Sequence, residues 1–458
     1  MAGVMETQHE LIKRRREAAA AEGGFVVPPD VAEAAGVTGF EDEATKKLMV
    51  AKHYLQKGQV ATLRPVLPAM LQIKGKPYTL DDYFPFEPFF RTRMPRSVLL
   101  KTGRQVSKST SLAAQGIVFS NSQPYFSTLY VTPLFEMIRR FSHNYVRQFL
   151  ETSPVAGLFT GAKTTNQILQ RSFKNGSSMY FSYAFLDAER TRGIPADKNV
   201  IDEVQDMNHD FLQIIHETLS GSKWGLRQYA GTPKSLENTM QRLWEDSSQA
   251  EWVMKCRTAG CGHWNVPALT HDLVDMIDTT NREVSERFPG VVCAKCRKPG
   301  SIDPRKGRWF HQFKDRRWSF AGYHVPQLIM PMHYANKEKW EVLVGKMQGR
   351  GNTAANVFFN EVCGESYDTG SKLVTVTDLK DACCLPWDNT VDQAERHLDQ
   401  YLYRVLAVDW GGGGGKVGGG TKKGGGEQRE RTSFTTLAAL GMRPDGKVDV
   451  IWGYQSLR

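Results

Sequence analysis

Apolar residues in the middle of the chain recur in short runs, separated by longer segments with a helical spacing. The runs predicted as strands are residues 97–101, 126–133, 178–185, 199–203 and 225–233, and the predicted helices are residues 109–120 and 133–150. Strands that alternate with helices are typical of a mostly parallel sheet with helices packed on its faces. The pattern therefore predicts an α/β domain in this part of the chain.

The pattern changes toward both ends of the chain. Residues 1–62 are polar and rich in Ala, Glu, Lys and Arg, which predicts a helical N-terminal arm. Three more strands are predicted at residues 401–410, 433–440 and 447–455, and the first two flank a glycine-rich run that cannot pack a core. The predicted organisation is an arm at 1–62, an α/β domain at 63–370 with an irregular cysteine-bearing insertion at 252–300, a linker at 371–400, and a C-terminal domain opening at 401–458.

Composition narrows the class of protein. A net charge of +10 over 458 residues favours an anionic partner, and nucleic acid is the commonest one. No apolar run approaches the roughly 20 residues that span a bilayer, and the N-terminus lacks the apolar core of a signal peptide. The sequence therefore predicts a cytosolic protein without a membrane partner, in which the seven cysteines are buried or bind metal rather than form disulfides.

The stretch KTGRQVSKST at residues 101–110 nearly spells a phosphate-binding loop. It follows an apolar strand, and Lys108 and Ser109 supply the charge and the magnesium-facing hydroxyl of the pattern G-x-x-x-x-G-K-[ST]. Thr102 and Ser107, however, occupy the two glycine positions. The stretch alone leaves open a nucleotide site or an ordinary strand-to-helix turn.

An acidic strand end adds a second element of a nucleotide site. Residues 199–206 read NVIDEVQD, so Asp202 can sit by a magnesium ion and Glu203 can orient and deprotonate water. A third element, Gly231–Thr232–Pro233, follows the next strand and suits a coupling loop that senses the γ-phosphate. Alone, these are an acidic turn and a tight turn, but together with Lys108 they favour nucleotide hydrolysis.

The insertion carries two cysteine pairs. Cys256 and Cys261 form C-x4-C, Cys293 and Cys296 form C-x2-C, and His263 is a reserve ligand. Two such pairs can close a tetrahedral zinc site with no open position, which predicts a structural zinc ribbon. Unliganded thiols are the alternative.

The order of these motifs resembles the large terminase subunit of tailed bacteriophages. Residues 321–328, 358–370 and the strand ending at Asp409 are also similar to that family's motor-to-nuclease link and nuclease opening. The resemblance implies a P-loop NTPase of the class with an additional strand and a catalytic glutamate (ASCE-type). A ribonuclease H-like nuclease domain is expected to follow it, with only its opening strands present in this chain.

The resemblance also implies roles for single residues. Glu203, Arg104, Arg192 and Asp409 are the implied catalytic residues, and magnesium ligands are expected at Ser109, Asp202 and Asp409. Arg192 is alternatively a surface salt bridge, and the aromatic run at 84–90 either contacts adenine or packs the core. The ATP-binding loop is expected to comprise Thr102, Gly103, Arg104, Gln105, Val106, Ser107, Lys108, Ser109 and Thr110.

The implied function is ATP-driven translocation of viral double-stranded DNA into a procapsid, with a metal-dependent endonuclease that cuts concatemers. The implied cofactors are ATP, Mg²⁺ (or Mn²⁺ at the nuclease site) and Zn²⁺. The implied partners are double-stranded DNA, the small terminase subunit, the portal protein and further copies in a homo-oligomeric ring in the host cytoplasm. A helicase-like translocase and a non-catalytic zinc-ribbon DNA-binding protein are the alternatives that the residues themselves leave open.

Overall fold

The computed structural model describes residues 29–38, 45–46, 49, 53, 62–184, 187–280, 283–368, 383–409 and 434–457. Most of the predicted N-terminal arm and the whole glycine-rich run lie outside these residues. The chain divides into two compact units, Met1–Leu373 and Val374–Arg458. Within the described residues, no helix is both long enough and apolar enough to cross a membrane.

The strands and helices follow the predicted alternation. The strands are β1 (Gln72–Ile73), β2 (Lys76–Pro77), β3 (Ser97–Thr102), β4 (Ser127–Thr132), β5 (Asn166–Gln167), β6 (Gln170–Ser172), β7 (Ser178–Tyr183), β8 (Lys198–Asp202), β9 (Leu226–Gly231), β10 (Ala250–Lys255), β11 (Trp264–Asn265), β12 (Arg308–His311), β13 (Phe320–Val325), β14 (Tyr403–Asp409), β15 (Phe434–Met442) and β16 (Val448–Leu457). The α-helices are α1 (Pro29–Ala34), α2 (Leu67–Met70), α3 (Lys108–Ser122), α4 (Phe135–Phe141), α5 (Gln148–Thr152), α6 (Ala156–Phe159), α7 (His209–Glu217), α8 (Thr239–Asp246), α9 (Pro331–Tyr334), α10 (Lys337–Met347) and α11 (Val391–Arg396). Short 3₁₀ segments include Phe84–Phe90, Val204–Asp206, Lys314–Trp318 and Gln327–Ile329, and π-helical turns lie at Ser142–Arg147 and Val357–Val362.

An 11-stranded mixed sheet organises the first unit. Its strand order is β11-β10-β13-β3-β9-β8-β4-β7-β6-β5, with β12 also paired to β10. All neighbours from β10 to β7 along this path run parallel, and the outer pairs are antiparallel. The predicted phosphate-loop strand β3 and the acidic strand β8 are therefore separated by β9. The parallel central strands confirm the α/β prediction, and the interposed strand β9 is consistent with the P-loop NTPase fold that the resemblance implies.

Both faces of this sheet are covered. Val98 and Leu100 of β3 belong to one buried cluster together with Ile117 of α3, whereas Leu99 belongs to a second cluster on the other face with Ile201 of β8. A strand buried on both faces reads as a continuous apolar run, which is why 97–101 was recognisable from sequence.

The aromatic run at 84–90 packs the core. Phe86, Phe89 and Phe90 are at most 2% exposed, and the Phe89 ring meets Tyr323 of β13 edge-on at 5.3 Å. Of the two roles open from sequence, the structure thus shows apolar packing.

The second unit contains an antiparallel meander in the order β14-β15-β16. Helix α11 lies within the predicted linker 371–400, and its Ala394 shares a small buried cluster with Tyr401 and Ile451. Val405 and Leu406 of β14 are each 61% exposed. This meander therefore buries little apolar surface by itself.

Candidate functional site

The predicted phosphate loop runs from the carboxyl end of β3 to the start of α3. Gln105 has φ 56° and Ser107 has φ 65°, so two non-glycine residues adopt the left-handed conformation. Ser107 is the residue that precedes α3, and Lys108 is its first residue. The chain therefore makes the tight curl without glycine at either position, by accepting local backbone strain.

Lys108 lies between the two predicted carboxylates. Its Nζ is 2.6 Å from Asp202 Oδ1 and 2.6 Å from Glu203 Oε1. Lys108 and Asp202 are both buried. The sheet thus brings the phosphate-loop lysine and the acidic strand end together, at the carboxyl edge where parallel α/β proteins bind ligands.

The charges in this cluster reinforce one another. Burial alone would lower the pKa of the Lys108 ammonium, but Asp202 and Glu203 outweigh it and hold that pKa above its usual value. Burial would raise the pKa of Glu203, but the Lys108 charge outweighs it and the net shift is downward. Lys108 and Glu203 are therefore held in their charged forms at neutral pH.

Hydrogen bonds fix the orientation of both carboxylates. The Tyr130 hydroxyl donates to Asp202 Oδ2 at 2.7 Å, and Gln205 Nε2 donates to Glu203 Oε2 at 2.7 Å. Glu203 itself, which follows β8, has φ 55°, a strained value for a non-glycine residue. Glu203 is thus positioned by its backbone, by Gln205 and by Lys108.

Two glycines allow a distant segment to support the loop from behind. A Cβ on Gly103 would lie 2.8 Å from the Val362 carbonyl oxygen, and a Cβ on Gly364 would lie 2.7 Å from the Gly103 nitrogen. The Arg104 amide donates to the Glu361 carbonyl at 2.6 Å. Any side chain at either glycine would therefore separate the loop from residues 361–364.

Two side chains hold carbonyl groups of the loop. Gln327 Nε2 donates to the Arg104 carbonyl at 2.8 Å, and His333 Nε2 donates to the Gln105 carbonyl at 3.0 Å. Burial lowers the pKa of His333 to about 4, so the ring is neutral and its Nε2 carries the proton. Sequence reasoning missed both residues, because no motif signals a side chain that reaches the loop from more than 200 positions away.

Arg104 is held outward. Its Nη1 is 2.8 Å from Glu361 Oε1, its side chain is 64% exposed, and Glu361 also contacts Lys346 at 3.4 Å. The predicted phosphate contact of Arg104 therefore requires this ion pair to exchange.

The predicted coupling loop contacts the acidic strand end. The Thr102 hydroxyl donates to the Gly231 carbonyl at 3.1 Å, and Gly231 packs so closely on Gln205 that a Cβ there would overlap the amide. Lys234, just after Pro233, pairs with Asp206, and its carbonyl accepts from Asn360 Nδ2 at 2.6 Å. One continuous set of contacts therefore joins the acidic strand end, residues 231–234 and residues 357–362.

A buried charge network lies beneath the loop. Lys101 pairs with Glu365, and His324 Nδ1 lies 2.8 Å from Glu251 Oε2. His324 Nε2 donates to the Cys363 carbonyl at 2.7 Å, so both ring nitrogens face acceptors and the ring is positively charged. Burial lowers the pKa of His324, but Glu251 and Glu365 outweigh it and raise that pKa. Although Glu251, His324 and Glu365 are close enough to hold a metal ion, two cations already balance their carboxylates.

Arg192 does not lie with these residues in the same chain. It precedes β8, whereas Asp202 ends that strand, so it belongs to the opposite edge of the sheet. Its Nε pairs with Glu189 at 2.9 Å, its side chain is 53% exposed, and it lines a cleft with Tyr125. The surface salt bridge anticipated as the alternative is present, and any nucleotide contact by Arg192 would be to another subunit.

The four predicted zinc ligands converge. Cys256 and Cys296 have their sulfurs 3.7 Å apart, and Cys261 and Cys293 have theirs 3.8 Å apart. All four sulfurs lie within 4.8 Å of one another. A tetrahedron with Zn–S bonds of about 2.3 Å has edges of about 3.8 Å, so the donor set fits zinc. His263 instead faces Asp272 at 3.3 Å. Cys363 is buried, but Cys383 and Cys384 are exposed, so the prediction that every cysteine is buried or binds metal is wrong for these two.

Asp409 ends β14, opposite Thr436 of β15. This is the predicted strand-end position. Its backbone is described but its side chain is not.

Comparison with known protein families finds a match within the first unit. Residues 86–309 match the family described as phage terminase large subunit gpA, ATPase domain. No curated protein sequence matches the chain. The matched segment begins within the aromatic run and contains the phosphate loop, the acidic strand end, the coupling loop and all four cysteines.

Solved large terminases are similar to this chain at low sequence identity. The ATPase domain of the Thermus phage P74-26 large terminase is 14% identical, with 60% of this chain and 89% of that chain covered at a TM-score of 0.36. The HK97 bacteriophage large terminase is 11% identical, with 86% and 67% covered at 0.45. The large terminase of a thermophilic bacteriophage, solved with ADP, is 10% identical, with 82% and 68% covered at 0.37. The family match covers just under half of the chain, and it supports the resemblance to the phage terminase large subunit that the order of the motifs indicated.

Proposed function

We propose that this chain is the motor of a DNA-packaging terminase, which hydrolyses ATP to move viral double-stranded DNA into a procapsid. The observation that carries the proposal is the position of Lys108 between Asp202 and Glu203, on a sheet whose additional strand β9 carries the coupling loop. The family match to residues 86–309 supports it. Such a motor would bind the portal protein and the small terminase subunit, and it would assemble with further copies of itself into a homo-oligomeric ring.

In this proposal ATP binds along residues 102–110. The loop amides and the start of α3 face the phosphates, and Lys108 leaves its carboxylate partners to meet the β- and γ-phosphate oxygens. Asp202 and the Ser109 hydroxyl offer the hard oxygen ligands that Mg²⁺ prefers, and the ion would neutralise phosphate charge. Glu203, released by Lys108 and still oriented by Gln205, accepts a hydrogen bond from the attacking water.

Coupling to movement would pass through Gln205. Loss of the γ-phosphate changes the partners of Glu203, and Gln205 lies between Glu203 and Gly231. Lys234 extends the contact to Asn360. We propose this contact set as the route by which hydrolysis shifts residues 357–368, the segment that leads out of the motor.

Three further assignments belong to the same proposal. The four cysteines would hold one structural zinc ion that closes the insertion at 252–300. Arg192 would act as an arginine finger on a neighbouring subunit's nucleotide. Asp409 would be the first metal-binding carboxylate of a ribonuclease H-like nuclease, a role that its strand-end position supports.

The test is ATP hydrolysis with and without linear double-stranded DNA, combined with displacement of a triplex-forming oligonucleotide from a duplex. The wild type should hydrolyse ATP faster with DNA and displace the third strand only when ATP is present. Lys108→Ala should do neither, because the charge that positions the phosphates is gone. Wild-type protein that hydrolyses no ATP, with Mg²⁺ and DNA present, would contradict the proposal.

A further inference from the structure

Three separate segments bring basic and aromatic side chains to one edge of the sheet. Residues 91–96 lead into β3, residues 222–225 lead into β9, and residues 314–319 lead into β13. These three strands are adjacent and parallel, so their lead-in segments meet at the amino edge, opposite the phosphate loop. The segments also bond to each other, since the Arg96 amide donates to the Trp318 carbonyl at 3.3 Å.

The charge on this edge is one-sided. The three segments contain seven basic residues and one carboxylate, Asp315. Arg93, Arg96 and Lys223 are exposed, and none of them makes an ion pair with any residue that the structure describes. Exposed cations without an ion-pair partner favour the binding of an anionic ligand.

Two half-exposed indoles lie among these cations. The Arg93 guanidinium carbon sits 4.3 Å from the Trp318 ring centre, and Lys223 Nζ sits 5.3 Å from the Trp224 ring centre. Trp318 is 45% exposed and Trp224 is 40% exposed. Stacking on an indole orders a guanidinium without using its hydrogen-bond donors, so those donors stay free for a phosphate.

A groove of about 440 Å³ runs between these side chains. Its lining includes all five members of what we name the basic–aromatic edge: Arg93, Arg96, Lys223, Trp224 and Trp318. Two strand spacings of about 4.8 Å separate the outer segments, so the edge spans on the order of 10 Å. That length corresponds to about three nucleotides of one DNA strand at 3.4 Å each.

We infer that the basic–aromatic edge binds the phosphate backbone of double-stranded DNA without reading its sequence. The inference rests on the proposed motor function and names the surface through which that motor holds its substrate. Arginine and lysine donors neutralise phosphates, and the indoles pack against the sugars between them. Because this edge is opposite the nucleotide site, DNA and ATP bind without competing for residues.

The experiment compares two charge-matched triple variants by fluorescence anisotropy with a labelled 30-base-pair duplex across a salt series. The test variant is Arg93→Gln/Arg96→Gln/Lys223→Gln. The control variant, Arg139→Gln/Arg140→Gln/Lys306→Gln, removes the same charge from exposed residues that already pair with carboxylates. The test variant should bind DNA roughly tenfold or more weakly, with a salt slope smaller by about 0.9 for each lost phosphate contact. The control should keep the wild-type slope.

Hydrolysis and oligomeric state separate the possible failures. In the test variant, ATP hydrolysis without DNA should equal wild type while its stimulation by DNA is lost. If wild type and test variant bind DNA with equal affinity and slope, the inference is wrong and the motor function stands. If wild type binds no DNA, both are wrong. If the test variant changes the oligomeric state in light scattering but not DNA affinity, the edge is a protein interface and the inference is overturned.

Discussion

Nucleotide binding by the phosphate loop should depend on the side chains of Gln327 and His333, because their hydrogen bonds stabilise a loop that has non-glycine residues at left-handed positions. Gln105 and Ser107 both have positive φ, and a left-handed non-glycine residue costs roughly 1 kcal/mol, so the loop carries about 2 kcal/mol of strain. The hydrogen bonds from Gln327 and His333 to loop carbonyls contribute about 1 kcal/mol each. The two hydrogen bonds therefore offset the strain of the loop backbone.

Removing both side chains should therefore disfavour the nucleotide-binding loop by about 2 kcal/mol. For Gln327→Ala/His333→Ala, we expect affinity for a fluorescent ATP analogue with Mg²⁺ to fall about 30-fold, and about fivefold for each single variant. His333→Gln keeps a donor and should recover part of the loss. Titration of the analogue measures these affinities, and thermal unfolding shows that each variant is folded.

The matched control is His311→Ala. His311 is also buried, bonds the Ser248 hydroxyl at 2.7 Å and has its pKa lowered by burial to about 4, but it does not touch the loop. It should lose stability without losing nucleotide affinity. Ser107→Gly should relieve strain and restore about fivefold affinity to the double variant. A double variant that binds as wild type does, or no more weakly than the His311 control, would refute the reasoning.

Two further predictions concern the metal and the buried charges. Purified protein should contain about one zinc per chain by elemental analysis. Cys293→Ser should lose the zinc and lower the Tm, whereas Cys383→Ser, at an exposed cysteine, should do neither. Freshly reduced protein without zinc would contradict the zinc ribbon. Because the pKa of His324 is raised in the fold, its stabilising charge is fully present below its ordinary value of about 6.5 and is lost as pH rises through the folded value. The Tm difference between wild type and His324→Gln should accordingly be largest near pH 6 and shrink toward pH 9, and a difference independent of pH would contradict the charge assignment.

The sequence predicted the sheet well because its central strands are buried on both faces. The short apolar runs within 97–101 and 199–203 are typical of buried strands when they alternate with helical segments, and the structure forms β3 and β8 there. Lys108 follows the first run across the phosphate loop, and Asp202 and Glu203 end the second run, so the carboxyl ends of parallel strands bring the three residues to one edge. The core of the site was therefore predictable from local patterns alone.

The rest of the site depends on contacts between distant parts of the chain. Gln327 and Glu361 reach the loop only because β13 lies beside β3 and because residues 361–364 pack behind Gly103. No periodicity or spacing in the sequence encodes that approach. Likewise, the outward pairing of Arg104 with Glu361 could not be seen in a motif that defines Arg104 by its neighbours alone.

The central claim is that Glu203 is the residue that orients water for ATP hydrolysis beside Lys108. The most direct measurement is steady-state ATP turnover of wild type and Glu203→Gln, each paired with nucleotide titration. Glutamine has nearly the same shape and keeps the bond to Gln205, but it cannot accept a proton. For Glu203→Gln we expect nucleotide affinity within a few fold of wild type and turnover lower by about two orders of magnitude or more. Equal turnover in the two proteins, at equal nucleotide occupancy, would contradict it.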